Sequence, residues 1–381
     1  MANINHLARH GLTALEQNNS AENSEYYANS KIAMWLATAD LQGGKMDTTL
    51  LELFGSMIIV LFAAVIFVNA VEYIGYKLNL GHSFVGAIIA PLFTSIPELT
   101  VFLVAVFAVG QTAGQEVGIG TLFGQPFMAS SLSYGLVGLA ALVGFFTGRR
   151  KKSFLVVERN LGIPYAFIAV LFPLTVVPSL FAGVTMVKYA FGLLFFGAFL
   201  LYVWMMFRRR EEGLIEEVED CYLYRYGGRI IRMPMISALI QIVISAVGLY
   251  VGSEGMVDSV IAIANSIKMS PLGLALILVP AATAIPETTS ALIWGYRGKD
   301  TLSLGSFVGE SVLYSTFYPA IGLLLTPWAL DRHAYSSVLA TTIVSLVLLM
   351  FIMRKKLPWW SLCLGLFFFI AYATLVFAFQ F

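Results

Sequence analysis

Two short stretches, "TSIPELT" at 94–100 and "TAIPETT" at 283–289, set a threonine, a proline and a glutamate at one spacing inside long apolar runs. A proline within a helix has no N–H to give and crowds the carbonyl four residues back. Pro97 would thereby free the carbonyl of Phe93, and Pro286 that of Ala282. Beside each opened carbonyl stand Thr94 and Ser95, or Thr283, followed by Glu98 or Glu287. Side chains four apart share a helix face. Carbonyl, hydroxyl and carboxylate oxygens together make a site for a hard cation, and two such clusters face to face could provide the six to eight oxygens that calcium takes. Proline kinks and lone buried acids also serve packing alone. Against that, a carboxylate at membrane depth is costly and functional by default, and the Thr-x-x-Pro-Glu unit occurs twice.

The apolar segment after each motif adds further polar groups. "GTLFGQPFMASS" (120–131) aligns with "GSFVGESVLYST" (305–316), which pairs Gln125 with Glu310. Glu310 is a third acid at membrane depth and is expected in the ion path. Gln125 joins it there or makes a simple interhelical hydrogen bond. Gly120 with Gly124, and Gly305 with Gly309, are spaced for close helix approach.

The composition says what must hold these groups. The 381 residues are 59% hydrophobic and 12% charged, with a mean hydropathy of +0.82. Soluble domains carry about twice that share of charge, so this is an integral membrane protein. A net charge of +1 leaves no basic face for nucleic acid. The four histidines form no HExxH, and Asp258, Asp300 and Asp331 stand near segment ends, which argues against an intramembrane protease. The pattern calls for no covalent chemistry and no cofactor, so the chain is not expected to be an enzyme.

Ten apolar stretches are long enough to cross about 30 Å of hydrocarbon: 49–74, 83–109, 117–147, 160–184, 187–206, 234–256, 269–294, 302–327, 335–353 and 359–380. Spans of this kind are helices. Loops after odd-numbered spans hold seventeen Lys and Arg, including Arg149–Lys152 and Arg354–Lys356, whereas those after even-numbered spans hold only Lys188, Lys268 and Arg332. The positive-inside rule then puts both termini on the non-cytoplasmic side of a multi-pass cell-membrane protein. The motifs fall in spans two and seven, so the chain divides into a polar tail (1–46, mostly unstructured, with a short helix near 32–39), a first five-helix repeat (47–206), a cytoplasmic loop (207–233) and a second repeat (234–381). Five spans per repeat invert the second copy. The expected fold is an all-α polytopic membrane protein of two inverted repeats, an arrangement that puts a transport site near the midplane between halves.

These residues resemble the calcium/cation antiporter superfamily, which includes the sodium/calcium and cation/proton exchangers. Its α-repeats carry a Gly-Thr-Ser-x-Pro-Glu motif and, on the next helix, Gly-Ser-Asn. The resemblance implies that Glu98 and Glu287 are the paired metal-binding acids, with Thr94, Ser95 and Thr283 as further oxygen donors. Here Phe93 and Ala282 replace the motif glycines and Ala284 the second serine. Gly124-Gln125-Pro126 and Gly309-Glu310-Ser311 replace Gly-Ser-Asn, and Ala129 and Tyr314 stand at later Asn/Asp positions. Several ligands associated with sodium sites are thus missing.

The reading is a secondary-active antiporter of small cations working by alternating access within membrane lipid, exchanging Ca2+ for H+ or Na+. Three acids also exceed the charge of one divalent cation, and the third must hold a proton or meet a monovalent ion, so the expectation leans towards the proton. Alternatives are a proton-coupled exchanger of magnesium or manganese, a cation channel, or a non-transporting membrane protein.

Overall fold

A computed structural model describes residues 21–77, 90–181, 183–208, 220–227 and 233–379. The chain divides into two units, Met1–Leu51 and Glu52–Phe381; the packing and the site described below are those of the second. Helix α1 (Ala21–Lys77) begins well inside the stretch expected to be an unstructured tail. Residues 21–42 contain neither proline nor glycine, and five of them are Ala, the strongest helix former. Polarity alone therefore misjudged this segment.

Among the described residues, eight helices are long and apolar enough to cross a membrane, and a ninth span is counted if the pair Pro271–Thr283 and Glu287–Arg297, bent by 65°, is one broken crossing. The shorter apolar helix Ile96–Val109 falls on the remaining predicted span, whose start at 83–89 lies outside the described residues. The protein is accordingly an all-helical polytopic membrane protein in which each predicted span finds a helical counterpart.

The first half continues with α2 (Ala90–Thr94), α3 (Ile96–Leu103), α4 (Gln111–Met128) and α5 (Tyr134–Phe146). Strand β1 (Phe154–Leu155) then leads into α6 (Gly162–Leu174), α7 (Val177–Leu180) and α8 (Thr185–Arg208). Short α9 (Tyr222–Gly227) lies in the predicted loop, of which 209–219 and 228–232 are outside the described residues. The second half holds α10 (Pro234–Ile267), α11 (Pro271–Thr283), α12 (Ile285–Arg297) and α13 (Asp300–Ser315). It ends with α14 (Phe317–Leu325), α15 (Arg332–Met353), strand β2 (Leu357–Pro358) and α16 (Trp359–Phe379).

In lipid, helices associate through close packing rather than by escaping water, and small residues let backbones meet. The contact between α4 of the first half and α11 of the second works this way. A Cβ on Gly120 would stand 2.6 Å from the Leu272 carbonyl oxygen, and one on Gly124 would stand 2.6 Å from that of Leu276. The reciprocal contact joins α13 to α2, where a Cβ on Gly309 would meet Pro91 Cγ at 2.5 Å. Gly305 departs from the expectation: a side chain there would meet nothing within 4 Å. Each motif helix is thus packed against the helix that follows the other motif. A core of Phe102, Phe123, Phe127, Tyr318 and Trp328 fills in beside this crossing.

Candidate ion-binding site

The two motif prolines do not kink continuous helices. They start new ones. Ser95 (φ −89°, ψ 4°) separates α2 from α3, and Ala284 (φ −80°, ψ −2°) separates α11 from α12. Pro97 and Pro286 then occupy the first turn of the next helix, where a missing N–H costs nothing and the fixed φ is helical already. A sequence feature explains why both chains break rather than bend. A second proline, Pro91 or Pro280, stands six residues before each motif proline, so one short segment is denied two N–H donors.

Breaking the helix puts Glu98 and Glu287 in the first turns of α3 and α12. The positive end of the helix dipole there favours a carboxylate. The last carbonyls of α2 and α11 include those of Phe93 and Ala282, which Pro97 and Pro286 cannot satisfy. Ala282 is itself buried and offers only its backbone.

The third acid ties the halves together. Thr94 Oγ1 donates to Glu310 Oε1 at 2.5 Å, and Gln125 Nε2 donates to Glu310 Oε2 at 3.2 Å. Glu98 and Glu287 both lie close enough to Glu310 for their charges to oppose one another, and the Thr283 hydroxyl donates to the Val279 carbonyl at 3.3 Å. Glu98, Gln125 and Glu310 are each only 3% exposed, so these groups meet in the protein interior, away from both lipid and bulk water. Four buried polar atoms nearby have no protein partner: Glu98 Oε2, Glu287 Oε2, Gln125 Oε1 and the Tyr314 hydroxyl. They come from α3, α12, α4 and α13, two helices from each half. An unmet buried oxygen is costly, and a cation is the partner that four of them would accept together. The acids do not form a tight triad, since among the described residues no three His, Cys, Asp or Glu converge at metal-binding distance.

Of the residues singled out in the sequence, Thr94, Gln125, Glu310, Glu98, Thr283 and Glu287 are brought together. Ser95 is buried but occupied: its hydroxyl pairs with Tyr318 and lies 2.8 Å from the Pro91 carbonyl oxygen. The hydroxyls that follow Gln125 and Glu310 bond carbonyls of their own helix, and Ser130 also reaches Thr341 at 3.1 Å. Ser130 and Ser131 bond the Phe127 carbonyl, Ser315 that of Ser311, and Thr316 that of Val312.

Sequence reasoning missed Tyr314 and Tyr318 as site residues. Tyr314 is 1% exposed, its ring centroid is 4.5 Å from that of Tyr318, and its hydroxyl is buried with no protein partner. The signal was present, because Tyr314 stands at a position where the resembling family has a ligand. It registered only as a departure.

Comparison with known proteins gives a consistent picture. The profile of the sodium/calcium exchanger protein family matches residues 48–208 and 237–379, which is both halves without the central loop. The candidate antiporter CaxA of Alkalimonas amylolytica is 23% identical over 328 residues, covering 84% of this chain and 96% of that protein. The inner membrane protein YrbG of Escherichia coli K12 is 25% identical over 265 residues, 66% of this chain and 72% of its own length. Among solved structures, the H+/Ca2+ exchanger CAX superposes with a TM-score of 0.67 at 16% identity, over 91% of this chain and 89% of its own. The sodium-calcium exchanger NCX_Mj superposes with a TM-score of 0.53 at 20% identity, over 86% and 99%. Exchangers with different counter-ions thus share this fold.

Proposed function

The chain belongs to the sodium/calcium exchanger protein family, and from that premise we propose that it exchanges calcium for protons across a cell membrane. Both termini lie on the non-cytoplasmic side. Glu98 and Glu287 hold the ion between the two inverted halves, with Thr94, Thr283, Gln125, the Tyr314 hydroxyl and the carbonyls of Phe93 and Ala282 as neutral oxygen donors. Calcium is favoured over magnesium because it accepts more ligands in looser geometry.

One observation carries the choice of proton: Glu310, held by Thr94 and Gln125, brings a third buried acid to the interior site of Glu98 and Glu287. Three carboxylates exceed the charge of one dication, and an unpaired charge at membrane depth is costly. The acids therefore hold protons when no cation is bound, and the third keeps one when calcium is. An arriving dication displaces the protons of Glu98 and Glu287 and takes their carboxylates. The same groups therefore hold either cation or proton and never both, which is the condition for exchange. Movement of one group of helices against the rest then opens the site to each side in turn.

The deciding experiment is calcium uptake into proteoliposomes under imposed pH or sodium gradients, with magnesium and manganese as competitors. Calcium flux that runs down its own gradient with no dependence on either counter-ion would point to a channel and against exchange.

A further inference from the structure

A second polar cluster lies at the basic ends of the helices. Residues 149–152 read Arg-Arg-Lys-Lys and residues 354–356 read Arg-Lys-Lys, about two hundred positions apart. Strands β1 and β2 join them, Phe154 pairing with Pro358 and Leu155 with Leu357. Lys152 Nζ and Lys356 Nζ consequently approach one ring, that of Phe154, at 5.4 and 6.0 Å. Two basic loops that could have been solvated separately are fastened into one.

Beneath them is a cavity of about 320 Å³, lined by Arg149, Arg150, Lys151, Lys152, Arg297 and Asp300 among others. Its floor is rigid. Arg150 is only 7% exposed and spans the base, donating to the Gly295 carbonyl at 2.7 Å and pairing with Asp300 at 3.1 Å. The Val156 N–H also donates to Asp300, at 2.7 Å. The single acid of the lining is therefore committed to Arg150, which leaves Arg149, Lys151, Lys152 and Arg297 without a countercharge in the lining. Four such cations around a concave surface repel one another and favour an anion. The cavity lies at the ends of the apolar helices α5, α12 and α13, and basic pockets at the ends of membrane helices recognise lipid phosphates.

We infer that this cavity binds the phosphate of an anionic phospholipid headgroup, or a free phosphate of the same chemistry, held by Arg149, Lys151, Lys152 and Arg297. Its position gives it a second consequence. The cavity holds the turn between α12 and α13, the two helices that carry Glu287 and Glu310. Occupancy clamps that turn and so bears on how those acids move, a consequence that rests on the proposed transport reading. Phosphate binding itself does not.

The test uses the purified full-length chain in neutral detergent, titrated separately with phosphatidylglycerol, phosphatidylcholine and inorganic phosphate. Bound lipid is counted by native mass spectrometry, and the unfolding midpoint is followed. The double variant Lys151→Gln/Lys152→Gln keeps the Arg150–Asp300 floor, and Lys268→Gln serves as a control elsewhere. Phosphatidylglycerol should bind and raise the midpoint in the wild type, with affinity falling roughly tenfold in the double variant and unchanged in Lys268→Gln, given the worth of each surface cation towards anionic lipid. Protection by inorganic phosphate, lost in the same double variant, would identify a free anion as the occupant. Equal binding of both lipids with no effect of phosphate, or a double variant that binds like wild type, would overturn the inference. None of these readouts involves transport, so failure here leaves the exchange reading untouched.

Discussion

Thr94 and Glu310 lie 216 residues apart in sequence, yet the threonine hydroxyl donates to the glutamate at 2.5 Å. The bond joins the first motif to the helix after the second, and so binds the two halves at the level of the acids. A hydrogen bond to a charged group contributes about 1.5–3 kcal/mol. Thr94→Val keeps the shape and removes the donor. It should lower calcium turnover roughly tenfold or more, while Thr94→Ser retains most of it. Initial rates in proteoliposomes decide the matter, and equal rates for Val, Ser and wild type would separate this bond from transport.

Glu98→Gln and Glu287→Gln each keep an oxygen and remove a charge. A neutral amide is cheaper to bury than a carboxylate, so both variants should fold with unfolding midpoints at or above that of wild type. Exchange should fall by about a hundredfold or more, because a dication held by neutral oxygens loses most of its electrostatic attraction. Retained exchange in either variant would remove that glutamate from the proposed site.

The glycine contacts predict a sharp contrast between neighbours of similar sequence setting. Gly124→Ala introduces a Cβ 2.6 Å from the Leu276 carbonyl oxygen and should destabilise by about 1–3 kcal/mol through overpacking. Gly305→Ala meets nothing within 4 Å and should be neutral or slightly stabilising, since alanine is the better helix former. Comparison of the two unfolding midpoints in detergent checks this. Similar midpoints would mean the α4–α11 crossing is looser than the structure has it.

How much of this was legible beforehand differs by level. Hydropathy and the Thr-x-x-Pro-Glu repeat located the spans and the acids, because lipid forces helices and makes a buried charge conspicuous. Helix breaks were less legible. Pro97 and Pro286 read as kinks, and only the preceding Pro91 and Pro280 turn each kink into an end and a start. Tyr314 was harder still, for an aromatic residue in an apolar run looks like packing until its hydroxyl is seen without a partner. Ser95 differs in another way: spacing does not show that its hydroxyl is engaged by Tyr318 and the Pro91 carbonyl. Such competition depends on rotamers and neighbours that spacing does not encode.

Opposite faces of the membrane are assigned by the basic loops. A cysteine at Lys151, in the strongly basic turn after α5, should react with a membrane-impermeant thiol reagent only from the cytoplasmic side. One at Thr112, which is exposed near the start of α4, should react only from the other side. Cys221 is buried and should contribute little background; Cys363 is replaced by serine for the experiment. Labelling of both positions from one side would contradict the inverted arrangement of the halves.

The counter-ion gives the last prediction. Glu98, Glu287 and Glu310 could bring three negative charges together, whereas one calcium ion neutralises two. In the proposed cycle Glu98 and Glu287 yield protons when calcium binds, and Glu310, tied to Thr94 and Gln125, keeps one. Protons and calcium must then travel in opposite directions. In sodium-free medium, vesicles with an acidic interior should accumulate calcium as protons leave, and reversal of the pH gradient should expel it. Glu310→Gln removes the third ionisable acid, so the pH gradient should lose much of its effect even where calcium binding, measured separately by isothermal titration, persists. Calcium uptake that required sodium and ignored the sign of the pH gradient would refute proton coupling. It would leave Glu98 and Glu287 as ion ligands and reassign Glu310 to a monovalent cation.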